Sequence, residues 1–298
     1  MTSALADGPP ARARTDPAMN VLIQLIINGI LLGSMYAIVS VGLTLIFGIV
    51  RVVNFAHGEF LMVGMYAAYL LSAKFGLHPY VSALPVTVLL FGVGALVQRA
   101  IIKPLLSADE HMQIFATVGL STALMNLALL IFGADLYSVP ASAAQHSITV
   151  GGFTLVIGQV AMFACALALV TGLHFFMKST VLGRAIRATA QNRNAALLMG
   201  VRVERIYVIA FGLGAACVGL ASALLMPLYP VTPTIGAYFV LTAFVVVVLG
   251  GMRSMYLSIT HNSCADRGAQ PDIGETGQAA PHHDVPRRRI IGAREVSA

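Results

Sequence analysis

Residues 206–252 read IYVIAFGLGAACVGLASALLMPLYPVTPTIGAYFVLTAFVVVVLGGM, forty-seven consecutive positions without an Asp, Glu, Lys, Arg or His. A hydrocarbon core about 30 Å thick is crossed by about 20 apolar residues of helix, so this one run is long enough for two crossings. Val21–Val50 is uncharged across thirty residues, and Met112–Ala134 carries no ionisable acid or base of those types either. Across all 298 residues, 58% are hydrophobic, only 10% are charged, and the mean hydropathy is +0.84. A soluble domain carries roughly 25% charged residues, so this chain has too few to cover a water-exposed surface. The composition predicts an all-α, polytopic transmembrane helical bundle.

Seven spans are expected, near 21–50, 58–73, 80–98, 112–134, 156–177, 206–228 and 236–252. Two linkers are long. Residues 135–155, DLYSVPASAAQHSITVGGFTL, hold one acid and no Lys or Arg, whereas residues 178–205 hold six basic side chains against one acid. The bias of Lys and Arg toward cytoplasmic loops places 178–205 inside, and counting spans backward puts 135–155 outside, Arg99 and Lys103 inside, 74–79 outside and Arg51 inside. The first run is the ambiguous one. Thirty helical residues measure about 45 Å, so it must tilt, protrude, or break near Gly29, Gly33 and Ser34, and a break would change the side of the N-terminus.

Both ends differ from the middle. Residues 1–18 are polar and Pro-rich and lack the apolar centre of a signal peptide; they read either as a cytoplasmic leader or as residues upstream of a true start at Met19. Residues 254–298 hold ten charged side chains and no apolar periodicity, a composition that neither spans a bilayer nor packs a core. The pI near 9.5 does not point to nucleic acid, because the basic residues lie between apolar runs and not in a stripe with aromatics. Cys165, Cys217 and Cys264 lie far apart, without disulfide or metal-ligand spacing. Gly29/Gly33, Gly212/Ala216 and Gly219/Ala223 have the small-xxx-small spacing that lets helices approach in lipid, either within the bundle or at a dimer contact.

The stretch VVNFAHGEF, residues 52–60, places His57 and Glu59 in an apolar setting. H-x-E is half of a zinc-deaminase signature but lacks the P-C-x-x-C that completes it, H-E-x-x-H is absent, and no His/Asp/Glu cluster is expected in the spans, so no metal site and no cofactor are predicted. Two readings stay open. In one, the segment is a polar re-entry loop with Glu59 at the N-terminus of the next helix, where the helix dipole favours an anion. In the other, Asn54, His57 and Glu59 line a water-filled path or gate, since ionisable groups at membrane depth usually face a cavity or a partner.

Two segments resemble a known family. NGILLGSMYAIVSVGLTLIFGIVRVVNFAHGEFLMVGMYAA (28–68) and LGRAIRATAQNRNAALLMGVRVERIYVIAFGLGAACVGLASAL (182–224) are similar to the membrane subunit of branched-chain amino acid ABC importers, a likeness that runs from about Met19 to Met252. The resemblance implies a permease that pairs with a second, homologous permease subunit in the bacterial inner membrane. It implies two cytoplasmic ATP-binding subunits and a periplasmic solute-binding protein delivering leucine, isoleucine or valine; relatives carry urea, short amides or aromatic acids. The chain itself has no G-x-x-x-x-G-K-[ST] loop, so no Walker A phosphate cradle, and ATP hydrolysis belongs to a partner. The resemblance makes 178–205 the ATPase-coupling loop, carried by Gly183, Arg184, Arg187, Ala188, Gln191, Asn192, Ala195, Ala196 and Gly200. A helix over 183–200 would align Arg184, Arg187, Gln191 and Asn194 on one side, with Ile186, Ala190 and Leu197 on another, as helix-in-groove docking requires. Alternatively these arginines face lipid phosphates.

Family members continue after LGGM with further apolar spans. From Arg253 this chain does not, which predicts a permease domain over 19–252, an atypical tail over 253–298 from a frame change or truncation, a bundle lacking its last spans, and reduced or absent activity. A secondary transporter or channel is the alternative from another class. No enzymatic cluster is expected.

Overall fold

The computed structural model describes residues 17–139, 146–150 and 153–250; the tail at 253–298 and most of the leader at 1–18 lie outside the described residues. Each charge-poor run forms a helix, because in hydrocarbon a backbone must satisfy its own N–H and C=O groups. In chain order these are α1 (Pro17–Val50), α2 (His57–Phe75), α3 (Ala83–Val97), α5 (Glu110–Phe132), α6 (Ile157–Ser179), α9 (Val203–Leu225) and α10 (Ile235–Leu249). A wide π turn (Gln98–Ile102) and the short α4 (Lys103–Leu105) prolong α3, and α7 (Val181–Gln191) and α8 (Arg193–Leu198) make up the basic linker. Among the described residues, five helices are long and apolar enough to cross a membrane by themselves, α3 counted with the π turn and α4. The 19-residue α2 and 15-residue α10 stand at the other two expected positions.

α1 is one unbroken helix of 34 residues, so the ambiguity over Gly29, Gly33 and Ser34 resolves against a break. Its two ends therefore lie at opposite ends of the bundle. Near the N-terminal end, Gln24 clamps the backbone of Thr154, donating from Nε2 to the carbonyl at 2.8 Å and accepting from the amide at 2.9 Å. Thr154 belongs to an antiparallel hairpin of β1 (Ser147–Val150) and β2 (Phe153–Val156), where the composition predicts only a polar linker. The β-branched residues Ile148, Thr149, Val150, Thr154 and Val156 are the strand signal within it. At that same end Tyr137 and Val231 exchange backbone hydrogen bonds. The opposite end carries the basic linker.

α9 is the axis: sixteen of its 23 residues are buried, and it packs along α1, α2 and α3. Small residues permit this. A methyl group on Gly214 would lie 2.5 Å from Ile46 Cγ1 and 2.8 Å from the Gly42 carbonyl oxygen, and one on Gly94 would lie 2.5 Å from Ala215 Cβ. Gly29 and Gly33 meet nothing within 4 Å, so among the described residues that pair packs against no helix. The π turn has a local cause. Pro104 has no N–H for the carbonyl of Ala100 and its ring crowds that oxygen, so the turn widens and Lys103 N bonds instead to the Gln98 carbonyl, five residues back.

Overpacking a tight contact costs about 1–3 kcal/mol, so Gly214→Val should lower the unfolding free energy of the purified chain by at least that range's middle, about 2 kcal/mol. Gly29→Val, with open space around it, should lie within about 1 kcal/mol of the parent. Titration of helical content with denaturing detergent measures both; equal losses would remove α9 from its central role.

Candidate functional site

The stretch around His57 is set deep in the bundle. Residues 51–56 leave α1, and Asn54 shapes the bend, its Oδ1 accepting from Ala56 N at 3.1 Å while its carbonyl accepts from His57 N at 3.3 Å. This is the Asx geometry that short polar side chains favour at turns. α2 then starts at His57, whose Nε2 donates to the Val39 carbonyl at 3.2 Å. Val39 lies eleven residues before the end of α1 at Val50, about 16 Å along its axis. Glu59, in the first turn of α2, accepts from Ser121 Oγ at 3.2 Å, and Ser121 is likewise eleven residues into α5.

His57 and Glu59 therefore do not act on a common point. His57 faces α1, whereas Glu59 faces α5 and the first turn of α10, where a methyl group on Gly236 would lie 2.6 Å from Oε2. The first turns of α2 and α10 touch backbone to backbone: a Cβ on Gly58 would collide with the Gly236 carbonyl. Ser40 Oγ donating to the Ala243 carbonyl at 3.3 Å and the stacked rings of Phe55 and Phe244 continue that seam. Asn54, His57 and Glu59 are all buried, and each keeps one atom without a hydrogen-bond partner: Asn54 Nδ2, His57 Nδ1 and Glu59 Oε2. Among the described residues, no three His, Cys, Asp or Glu side chains gather as a metal site.

At the basic end, α7 and α8 replace the single helix expected over 183–200. The backbone breaks at Asn192 (φ −149°, ψ 105°), which caps α8 by accepting from Ala195 N at 3.1 Å. Thr180 caps α7 in the same way, accepting from Gly183 N at 2.9 Å. Asn and Thr are favoured there because their oxygens satisfy amides that the first turn leaves free. Gly183 is required by contact: a Cβ would lie 2.5 Å from the Phe176 carbonyl oxygen at the end of α6. Gly200, at φ +80°, ends the loop in the left-handed region.

Of the nine residues that the resemblance assigns to coupling, Gly183 and Ala196 are buried, Arg187 is half-buried, and Arg184, Ala188, Gln191, Asn192, Ala195 and Gly200 are exposed. Asn194 stands on α8, apart from the α7 row. The tip adds what the charge pattern did not suggest, Leu198 and Met199 being 89% and 84% exposed. The apolar triplet LLM inside a basic linker was the available signal. Arg51 was also missed as a loop contact: it stops α1 at φ 59° and donates from Nη2 to the Ala190 carbonyl of α7 at 3.3 Å.

Residues 25–260 match the family described as "Branched-chain amino acid transport system / permease component". The chain belongs to that permease family. It is 29% identical to the high-affinity branched-chain amino acid transport system permease protein BraD of Pseudomonas aeruginosa, over 80% of this chain and 82% of the relative. Identity to the permease protein LivH of Escherichia coli K12 is 29%, over 78% and 80% of the two chains. A probable branched-chain amino acid transport permease protein LivH of Methanocaldococcus jannaschii is 28% identical, over 77% and 75%. No solved structure matches. The chain is thus a multi-pass membrane permease component.

In this permease, removing the ring that ties α2 to α1 should cost about 1–2 kcal/mol, so His57→Ala lowers the unfolding midpoint. Glu59→Gln keeps an acceptor for Ser121 and removes an ionisable group from a buried site, so it should leave the midpoint unchanged or raise it. A marked loss in Glu59→Gln would show that the carboxylate is balanced by a charge in the folded permease.

Proposed function

We propose that this chain is the permease subunit of an ATP-driven importer that carries branched-chain amino acids inward across the bacterial inner membrane. It works with a second, homologous permease subunit, two cytoplasmic ATP-binding subunits and a periplasmic solute-binding protein. The basic end faces the cytoplasm and the hairpin end the periplasm, following the Lys and Arg bias. The observation that carries the reading, beyond family membership, is the loop of α7 and α8. It is capped at both helix starts, anchored by Gly183 on α6, and presents Arg184, Gln191 and Asn192 beside the apolar tip of Leu198 and Met199. Apolar side chains that exposed, on a loop held outside the bundle, suit a groove on a partner protein.

Asn54, His57 and Glu59 form the gate in this reading. Buried polar atoms without partners cost about 1–3 kcal/mol each, and a conformation in which water or solute reaches them recovers that cost. Nucleotide-driven closure can shift the bundle only by a difference in affinity for its two states. Arg51 supplies a mechanical link, since the backbone that leads to Asn54 and His57 starts from a residue bonded to α7.

Charge reversal by Arg184→Glu with Arg187→Glu should abolish uptake of labelled leucine while membrane insertion stays normal; normal uptake would reject the docking role. Arg51→Gly suits the left-handed backbone but loses the guanidinium. The assembled transporter carrying it should still hydrolyse ATP, while uptake per ATP falls roughly tenfold, within the range of ordinary coupling energies. Unchanged stoichiometry would remove Arg51 from the link, and uptake that continues without any ATP-binding subunit would reject the importer reading itself.

A further inference from the structure

At the basic end, the π turn and α4 face the start of α9 across a cavity of about 630 Å³. Its wall carries Arg99, Lys103, Arg193 and Arg205 against one acid, Glu204. Lys103 Nζ bonds Glu204 at 2.8 Å, and no other ion pair forms among the described residues. Arg193 lies 5.9 Å above the centre of the Tyr207 ring and pairs with no carboxylate. Three positive charges are therefore left unmatched around one cavity. Gln98, the first residue of the π turn, lines the same space; it is 1% exposed, and its Oε1 is buried without a hydrogen-bond partner. Val208 and Ile209 of α9 give the cavity an apolar side.

These groups ask for two things at once. The guanidinium groups of Arg99, Arg193 and Arg205 donate only, and they fit an anion with several acceptor oxygens, as a phosphate has. An amide oxygen left without a partner in the cavity wall fits a polar group carried beside that phosphate, and accepts a hydroxyl hydrogen from it. The cavity also lies where the charged end of the bundle gives way to helix flanks of Val and Ile, the depth at which headgroups of anionic lipids meet basic pockets between helices. We propose that this cavity is a binding site for the headgroup of an anionic glycerophospholipid, with the phosphodiester on the arginines and a hydroxyl of the head alcohol on Gln98. Glycerol is the head alcohol that supplies such a hydroxyl most simply. The lipid needs no partner chain, although the cavity shares Arg193 with the loop of α7 and α8 proposed above to dock the ATPase.

The test uses the full chain purified in neutral detergent, with dioctanoyl phosphatidylglycerol, dioctanoyl phosphatidic acid, dioctanoyl phosphatidylcholine and free glycerol 3-phosphate as separate probes, and bound ligand counted by native mass spectrometry. Phosphatidylglycerol should bind roughly tenfold or more tightly than phosphatidylcholine, and Arg99→Ser with Arg205→Ser should remove most of that difference, given about a kcal/mol for each basic residue near an anionic surface. Gln98→Leu should erase the preference for phosphatidylglycerol over phosphatidic acid while leaving both above phosphatidylcholine. Lys178→Ser, on the same end but outside the cavity, should change nothing. Both arginines are exposed, and an unaltered melting curve checks that their replacement leaves the fold intact. The proposal is overturned if the double variant binds like the parent, if Lys178→Ser loses as much as it does, or if glycerol 3-phosphate binds as tightly as the lipid, which would make the ligand a soluble phosphate.

Discussion

The close approach of α9 to its neighbours is the constraint on which the rest depends. Lipid tails are as apolar as leucine, so no hydrophobic force draws one membrane helix to another, and cohesion comes from van der Waals contact at short range. Gly42, Gly94, Gly214 and Gly219 bring backbones and short side chains into such contact around α9, while α5 and α6 bury only two and four of their residues. A tight seam fixes α1, α2, α3 and α9 as one packed unit. Variation is then left to what hangs from that unit: the hairpin at one end, and the loop of α7 and α8 at the other.

Between the seam and the loop stands Arg51. A residue with a Cβ costs roughly 1–2 kcal/mol in the left-handed region, and among the described residues no other non-glycine has positive φ. The surroundings hold it there by ending α1 abruptly, the Arg51 amide bonding to the Phe47 carbonyl at 2.9 Å, and by placing its guanidinium on α7. Six residues then carry the chain from the foot of the bundle to the deep start of α2. Strain, long-range bond and buried polar cluster thus follow one another along a single short segment.

Helix number and position were legible in the sequence because membrane crossing imposes a length of apolar chain that hardly depends on tertiary detail. The spans expected near 112–134 and 156–177 lie within a few residues of Glu110–Phe132 and Ile157–Ser179. What could not be read depends on partners distant in sequence. That α1 stays whole through Gly29 and Gly33 follows from helical hydrogen bonding that glycine weakens but does not break. That Glu59 meets Ser121 and Gly236 follows from packing of α2 against α5 and α10, which leaves no periodic mark. The break at Asn192 was within reach, since Asn is a favoured cap, but an amphipathic pattern running through it masked the boundary. His57 and Glu59 drew notice as a pair because they are neighbours in sequence, and a rotation of about 200° between them on a helix is what separates their surroundings.

The wide turn at Gln98–Ile102 has a mechanical consequence for α3. It holds one residue more than a regular turn, and that surplus can be handed to the next turn by exchanging a few carbonyl partners without unwinding the rod. Each such step would swing the side chains it passes by about 100° around the axis. Pro104 resists the step on one side by denying an amide, and on the other the tight contact of Gly94 with α9 stands in its way, so the wide turn is held in place at the foot of α3 beside Arg99.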